Sequence, residues 1–363
     1  MRSRREFIIG GSAAVAIALR RSTSAQPSAP PVSVTDTGAK PSDWESASPE
    51  SQRMSAPAIA AALDSGEKIP ALRSVVAVRN GLLVAERYYG GAAVSDLLAI
   101  NSATKSVSSM LVGLALNRKT IVSLAETVNR LIPSAVAKVS DSPAANVTLE
   151  QILTGRTGLE FPWTRYREII TAPDPVEFIL SLPPGTPAKT YNDAMVSLLA
   201  PILARAEGIE LSALAARDLF IPLGIERFTW VRDQKGNAVP NAGLALRTRD
   251  LAKFAWVMLN EGLWRGVRVL PGEWTIASIK PRGPADWQVP PVTNIGYGYL
   301  WFTGTLHGHR VAWGWGYGGQ FALLVPSLKL AIATAAISPQ PQKVYKQTNA
   351  VMALVGRVVQ AAA

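Results

Sequence analysis

A serine and a lysine three residues apart open a run that has the pattern of a helix. The run reads Ser-Ala-Thr-Lys from Ser102 to Lys105 and continues as a largely apolar stretch to Lys119. On a helix, residues three apart share a face, so the hydroxyl and the amine come within contact distance. A neutral lysine can take the serine proton, and a helix N-terminus favours the alkoxide that develops. The pair therefore predicts a serine nucleophile with a lysine base.

The same spacing occurs a second time, from Ser65 to Lys68. That copy stands among Gly and Pro, which predicts a loop. The Ser102 copy instead follows two β-rich runs around Asn80-Gly81, a strong signal for a β-hairpin. Taken alone, Ser102 is more typical of a helix cap than of a nucleophile, so the prediction depends on this context.

The composition disfavours several other kinds of catalytic site. The chain has no cysteine, which excludes disulfides, thiolate metal sites and a cysteine nucleophile. Its two histidines, His307 and His309, lie in a Leu-His-Gly-His segment that predicts a hairpin turn. Without a His-rich cluster or an HExxH motif, a zinc hydrolase is disfavoured. No residue pattern implies a metal or an organic cofactor, so we expect neither. No histidine precedes residue 307 and no Gly-x-Ser-x-Gly elbow follows the export signal, which disfavours a Ser-His-Asp triad.

Residues 1–25 have the pattern of a twin-arginine signal peptide. Arg4 and Arg5 precede an apolar stretch that ends at Leu19, and the small residues 22–25 offer a cleavage point. The apolar stretch is too short to span a bilayer as a stable helix. We therefore expect a periplasmic or secreted protein that makes no membrane contact after signal removal. An uncleaved N-terminal anchor is the alternative.

The charge of the chain does not indicate a nucleic-acid partner. Residues 1–25 hold five arginines and one glutamate, so their removal leaves 32 basic and 25 acidic residues and a net charge of +7. The basic side chains are scattered and form no dense block, which is typical of a solvated surface. The expected partner is a small-molecule ester, amide or lactam substrate. The oligomeric state has no signature in the sequence.

The periodicity of the chain changes twice. Residues 26–48 are rich in Pro, Ser and Thr and read as a linker, and helical periods dominate residues 121–245. Strand patterns concentrate in residues 49–120 and 246–363, which we assign to one domain. The sequence thus predicts an α/β (α+β) fold, with an antiparallel sheet built from both termini, flanking helices and an inserted all-helical lobe.

Five ordered segments carry a resemblance to a known family. They read VTLEQILTGRTGL, PPGTPAKTYNDAMVSLLAPILARAEG, IPLGI, GLALRTRDLAKFAWVMLNEGLWRG and GYGGQF before a strand. Together they resemble the serine β-lactamase and penicillin-binding-protein superfamily over roughly residues 50–340. The similarity is to the class C β-lactamase-like group, which includes esterases, D-amino-acid-releasing peptidases and 6-aminohexanoate-dimer hydrolases. The resemblance implies a β-lactamase/transpeptidase-like fold and an acyl-enzyme formed on Ser102.

Three motifs meet in one cleft in such proteins. The first maps to Ser102 and Lys105, and the second, Tyr-x-Asn, begins at Tyr191. The resemblance implies that Tyr191 passes the proton to the leaving group and later activates water. It places the oxyanion hole at the backbone N–H groups of Ser102 and Gln320. The third motif, Lys/His-x-Gly on a strand at the cleft, maps to Tyr317, Gly318 and Gly319.

Two residues depart from the family pattern. Asp193 stands where an asparagine is usual, and a carboxylate there would stabilise the ammonium form of Lys105. Three alternatives are open. The Asp193 side chain points away from Lys105, or Tyr191 acts as the base in place of Lys105. In the third, Asp193 is protonated or pairs with Lys105 and positions it. Tyr317 replaces the cation that helps to hold the carboxylate of a β-lactam. Trp315 lies on the same strand face as Tyr317, either as part of an aromatic cleft wall or as core.

The missing cation favours uncharged substrates. The leading prediction is a serine hydrolase that forms an acyl-enzyme on Ser102 and hydrolyses esters or small amides. One alternative is a D,D-peptidase or β-lactamase that acts on cell-wall peptides or β-lactams. The other is a catalytically inactive penicillin-recognition fold used for binding, which Asp193 and Tyr317 leave open.

Overall fold

A seven-stranded antiparallel sheet forms the centre of the molecule. The computed structural model describes residues 32–33, 43–185, 192–285 and 287–363, so the predicted signal peptide and most of the predicted linker lie outside it. The strand order is β3-β2-β13-β12-β11-β10-β9. The strands are β2 (Leu72–Arg79), β3 (Leu82–Tyr88), β9 (Thr293–Tyr297), β10 (Phe302–Leu306), β11 (His309–Gly316), β12 (Gln320–Val325) and β13 (Leu330–Ala336). Both chain ends contribute strands, which confirms the predicted α/β fold.

Two smaller sheets accompany it in the described part of the chain. One has the order β1-β5-β6-β4, and the other pairs β7 with β8. Their strands are β1 (Val32–Ser33), β4 (Leu98–Ala99), β5 (Arg227–Trp230), β6 (Leu244–Leu246), β7 (Leu263–Trp264) and β8 (Val267–Arg268). Strand β1 falls within the predicted linker, β5 falls within the segment predicted to be all helical, and β6 crosses the end of that segment. The helical run therefore ends near Phe220, where a turn of π-helix closes it.

Helices cover both faces of the central sheet. They are α1 (Ala56–Asp64), α2 (Thr104–Asn117), α3 (Val128–Leu131), α4 (Pro133–Val136), α5 (Leu149–Thr154), α6 (Tyr166–Thr171), α7 (Pro175–Leu180), α8 (Asp193–Ser197), α9 (Leu199–Glu207), α10 (Leu211–Ala215), α11 (Thr248–Leu259), α12 (Gly272–Ser278) and α13 (Val344–Gln360). Helices α3 to α10 form the helical lobe. None of the helices in the described ranges is both long and apolar enough to cross a membrane.

Helix α2 departs from the sequence-based expectation in one respect. The pattern predicts a helix that is apolar on one side, but α2 is buried on all sides from Thr104 to Ala115. Its serines fit this environment because each hydroxyl donates to a backbone carbonyl: Ser106 to Leu300, Ser108 to Pro240 and Ser109 to Tyr299, at 2.7–2.8 Å. Hydrogen-bonded hydroxyls can be buried at little cost, so these serines anchor the helix to the surrounding loops.

Candidate active site

The structure brings Ser102 and Lys105 together. Ser102 lies in a 3₁₀ turn, Asn101–Ala103, that leads directly into α2. The Lys105 Nζ donates a hydrogen bond to the Ser102 Oγ at 2.9 Å and another to the carbonyl oxygen of Asn241 at 2.8 Å. Only 3% of the Lys105 surface is exposed. The amine is therefore held beside the serine hydroxyl and away from bulk solvent.

Ser102 opens onto a cavity of about 650 Å³ between the central sheet and the helical lobe. Its lining combines residues from the α2 turn, β5, β6, α6 and the start of α13. Arg167 is the one charged side chain among the described lining residues. A cavity of this size and largely apolar lining is typical of a small-molecule site.

Strand β11 packs directly against the Ser102 turn. A Cβ added at Gly314 would lie 2.8 Å from the Ser106 Oγ, and one added at Gly316 would overlap the carbonyl oxygen of Ile100. Glycine is therefore needed at alternate positions, because the strand approaches the helix backbone so closely. Gly314 and Gly316 were not among the predicted site residues, although small residues that alternate with tryptophan were the available signal.

Asn101 ties the nucleophile turn to the hairpin that follows β11. Its Nδ2 donates to the carbonyl oxygen of Tyr317 and to the Ser338 Oγ, both at 2.9 Å. Its φ of 48° lies in the left-handed region, which asparagine tolerates better than most residues. Asn101 was not among the predicted site residues, since an asparagine next to a serine carries no motif.

The site residues predicted at the third motif and beside it fall into two groups. Trp315 and Tyr317 line the cavity, whereas Gly318, Gly319 and Gln320 do not. The two glycines have φ values of 96° and 101° and form the turn between β11 and β12, facing Pro339 and Val351. The fully buried Gln320 side chain donates to the Ala336 carbonyl oxygen at 2.5 Å. The positive φ values of this turn account for both glycines, and their contact with substrate stays a prediction.

Tyr317 supplies no charge to the cavity at neutral pH. Desolvation by burial raises the pKa of its phenol, so the group stays protonated. The sequence was equally compatible with a cavity wall and with the core for both tryptophans. Trp315, 9% exposed, belongs to the cavity wall, and the fully buried Trp313 belongs to the core.

The second predicted motif is described only in part. Tyr191 lies outside the described residues. Asn192 caps α8 by accepting the Met195 N–H at 3.1 Å, and its amide donates to the Leu159 carbonyl oxygen at 2.7 Å. Asp193 is the first residue of α8, and its backbone alone is described. Asn192, the middle residue of the motif, thus serves as the N-cap of α8, and the predicted roles of Tyr191 and Asp193 stay predictions.

Comparison with known proteins defines the family. The Beta-lactamase family model matches residues 59–357, most of the chain, so the protein belongs to this family. The 6-aminohexanoate-dimer hydrolase of Paenarthrobacter ureafaciens is 26% identical over 214 residues. That match covers 54% of this chain and 54% of the relative, so the chain spans about half the length of this curated protein.

Solved structures show the same fold. The D-amino acid amidase from Ochrobactrum anthropi SV3 has a TM-score of 0.66 at 18% identity, over 84% of this chain and 97% of that one. A class C beta lactamase from Rhodobacter sphaeroides has a TM-score of 0.60 at 19% identity, over 84% and 100% of the two chains. At these identities the likeness establishes the architecture, and it confirms the predicted β-lactamase/transpeptidase-like fold.

Proposed function

We propose that this protein is a serine hydrolase that forms an acyl-enzyme on Ser102 and hydrolyses neutral esters or small amides. The observation that carries the proposal is the 2.9 Å contact between the Ser102 Oγ and the buried Lys105 Nζ at the wall of a cavity of about 650 Å³. Family membership and relatives named as a hydrolase and an amidase support it.

Lys105 acts as the base in this proposal. In its neutral form the amine accepts the Ser102 proton while the Asn241 carbonyl holds the nitrogen in place. The alkoxide attacks the acyl carbon, the leaving group departs with a proton, and water then hydrolyses the acyl-enzyme. We assign to Tyr191 the transfer of that proton and the activation of water, as the family resemblance implies.

The oxyanion is held by two backbone N–H groups, those of Ser102 and Tyr317. Gly316 accepts a hydrogen bond from the Gly319 N–H at 3.2 Å, so the peptide edge of Gly316 faces β12. The N–H and C=O groups of successive residues alternate between the two edges of a strand. Those of Trp315 and Tyr317 therefore point away from β12. The Tyr317 carbonyl contacts Asn101 beside the nucleophile, which agrees with this orientation. We therefore assign the second donor to Tyr317 rather than Gln320.

A second candidate function rests on Arg167. This guanidinium lines the cavity and would hold the carboxylate of a β-lactam or a cell-wall peptide. Arg167 lies on α6, across the cavity from Tyr317, where the family resemblance places the cation. We therefore rank this D,D-peptidase or β-lactamase activity below ester or amide hydrolysis.

A substrate screen with a catalytic control tests both candidates. Purified wild type and Ser102→Ala are compared on 4-nitrophenyl butyrate, a neutral anilide and nitrocefin. We expect kcat/KM for the ester to exceed that for nitrocefin, and Ser102→Ala to lose all three activities. Faster turnover of nitrocefin would favour the second candidate, and turnover that survives in Ser102→Ala would contradict the acyl-enzyme.

Export by the twin-arginine route is part of the proposal. It rests on Arg4, Arg5 and the short apolar stretch that follows them. A fusion of residues 1–30 to a fluorescent reporter should reach the bacterial periplasm, and replacement of both arginines by lysine should retain the reporter in the cytoplasm.

A further inference from the structure

The cavity extends beyond Ser102 to the opposite face of the central sheet. Strand β10 pairs with β11 as far as Phe302 and Trp313, so the last residues of β11 have no neighbouring strand on that edge. Gly314 faces α2, and side chains alternate along a strand, so Trp315 faces the side on which α13 packs. The cavity therefore passes around the end of β11.

Four aromatic rings line this second part of the cavity. The ring centroids of Trp315 and Phe302 are 4.9 Å apart, those of Trp315 and Trp287 are 5.7 Å apart, and those of Trp287 and Tyr345 are 6.3 Å apart. All four residues belong to the cavity wall. We call these rings, together with Thr348, the aromatic pocket. Rings in such edge-on and tilted contacts present faces and edges on which a further ring can stack.

Thr348 adds one polar group to the aromatic pocket. It lines the cavity from α13, it is 1% exposed, and its hydroxyl has no hydrogen-bond partner. A buried hydroxyl without a partner is costly, so most such groups in folded proteins are paired. A bound ligand with a hydrogen-bonding atom at this point would supply the missing partner.

None of the five residues of the aromatic pocket is charged, and its rim is apolar. Tyr345 is 54% exposed, and Ile337 beside the rim is 52% exposed. We propose that the aromatic pocket binds a neutral aryl group that carries one hydrogen-bonding substituent, such as a phenolic hydroxyl. Building on the proposed function, this aryl group is one side of the ester or amide that Ser102 attacks.

Binding to the Ser102→Ala protein tests the pocket without catalysis. Isothermal titration calorimetry is used with three esters: cyclohexyl acetate, 2-naphthyl acetate and 6-hydroxy-2-naphthyl acetate. We expect both naphthyl esters to bind about tenfold more tightly than the cyclohexyl ester. The hydroxylated ester should bind a further threefold or more tightly. Equal affinities for the cyclohexyl and naphthyl esters, within twofold, would overturn the proposal.

Two variants in the Ser102→Ala background locate the effect. Trp287→Ala should reduce the naphthyl preference to about twofold or less, and Thr348→Val should remove the preference for the hydroxylated ester. Because Thr348→Val replaces an unpartnered hydroxyl by a methyl group, its melting temperature should be unchanged or higher. Ile276→Ala, on the exposed face of α12, is the control and should leave every ratio unchanged. A preference that survives in Trp287→Ala would overturn the assignment.

Turnover of the same esters by the wild type separates the two proposals. If Ser102→Ala binds in the expected order while the wild type hydrolyses none of the esters, the aromatic pocket stands and the proposed function fails. If the wild type hydrolyses them without any aryl preference in binding or in kcat/KM, the proposed function stands and the pocket fails.

Discussion

Two segments of this chain share the spacing Ser-x-x-Lys and differ in their surroundings. Ser65 and Lys68 lie in a 3₁₀ turn after α1, and Lys68 is exposed. The Ser65 hydroxyl donates to the Ala62 carbonyl oxygen and accepts from the Arg357 guanidinium at 2.7 Å. At Ser102 the serine instead accepts from its own lysine, and that lysine is buried.

The difference shows what local sequence leaves undetermined. Both segments form a turn of helix, so the loop predicted for Ser65–Lys68 from the neighbouring Gly and Pro was wrong. The Ser102 turn continues into α2, which is enclosed by the sheet and the helical lobe, whereas the Ser65 turn ends at a surface loop. That enclosure removes Lys105 from solvent, whereas Lys68 stays exposed.

The largest expected contrast is between the two serines. Ser102→Ala should reduce kcat/KM for the best ester by at least about a thousandfold, because the proposed nucleophile is removed. Ser65→Ala should stay within about twofold of wild type. The rates are measured with freshly purified proteins whose folding is checked by circular dichroism. Similar losses in the two variants would remove the distinction between the segments.

Replacement of the two lysines should also have unequal effects on kcat, and the ratio should be somewhat smaller than for the serines. Lys105→Met keeps the length of the side chain and removes the base, so kcat should fall about 10²–10⁴-fold. Lys68→Met changes an exposed side chain and should leave kcat unchanged. Pre-steady-state acylation rates give the clearest measurement. If Lys105→Met acylates at the wild-type rate, another group is the base.

A tightly packed glycine lies at each segment: Gly66 within the Ser65 turn, and Gly316 of β11 against the Ser102 turn. A Cβ at Gly66 would lie 2.5 Å from the ring of Tyr89, and one at Gly316 would overlap the backbone beside Ser102. Each Gly→Ala variant should lose about 1–3 kcal/mol of unfolding free energy through overpacking. Only Gly316→Ala should also lose activity, by about a hundredfold, since it displaces β11 from the nucleophile. Urea unfolding and ester kinetics are measured side by side, and full activity in Gly316→Ala would contradict this.

The smallest predicted effect concerns Asn101. Asn101→Gly accepts the same positive φ and removes only the two hydrogen bonds to Tyr317 and Ser338. We expect kcat to fall about tenfold with little change in KM, because the bonds hold the nucleophile against the proposed oxyanion donor. Ser338→Ala removes one of the two bonds and should show a smaller loss. A change confined to KM would indicate a role in substrate binding instead.

Much of the fold could be read from the sequence, since its signals are local. The Asn80-Gly81 turn predicted the hairpin of β2 and β3, and the Leu-His-Gly-His segment predicted the turn between β10 and β11. The helical segment was placed too long because β5 and β6 are short strands of three or four residues. The pairing of β6 with β4 and with β5 depends on long-range contacts that have no local pattern.

The site was less predictable than the fold. The Ser102–Lys105 contact follows from helical spacing, but the Asn241 carbonyl that positions Lys105 lies 136 residues away. A turn at Gly318 and Gly319 could not be told from a close approach to substrate, because both favour glycine. Trp287 and Thr348 reach the cavity only through the packing of a loop and of α13 against the sheet.

Ser102 is the residue that becomes acylated in the proposed function. The most direct measurement is reaction of the wild-type protein with a fluorophosphonate, followed by intact mass and peptide mapping. We predict one adduct per chain, on the peptide that contains Ser102, and no adduct in Ser102→Ala or Lys105→Met under the same conditions. An adduct on Ser65 or another serine, or an unmodified wild-type protein, would contradict the account.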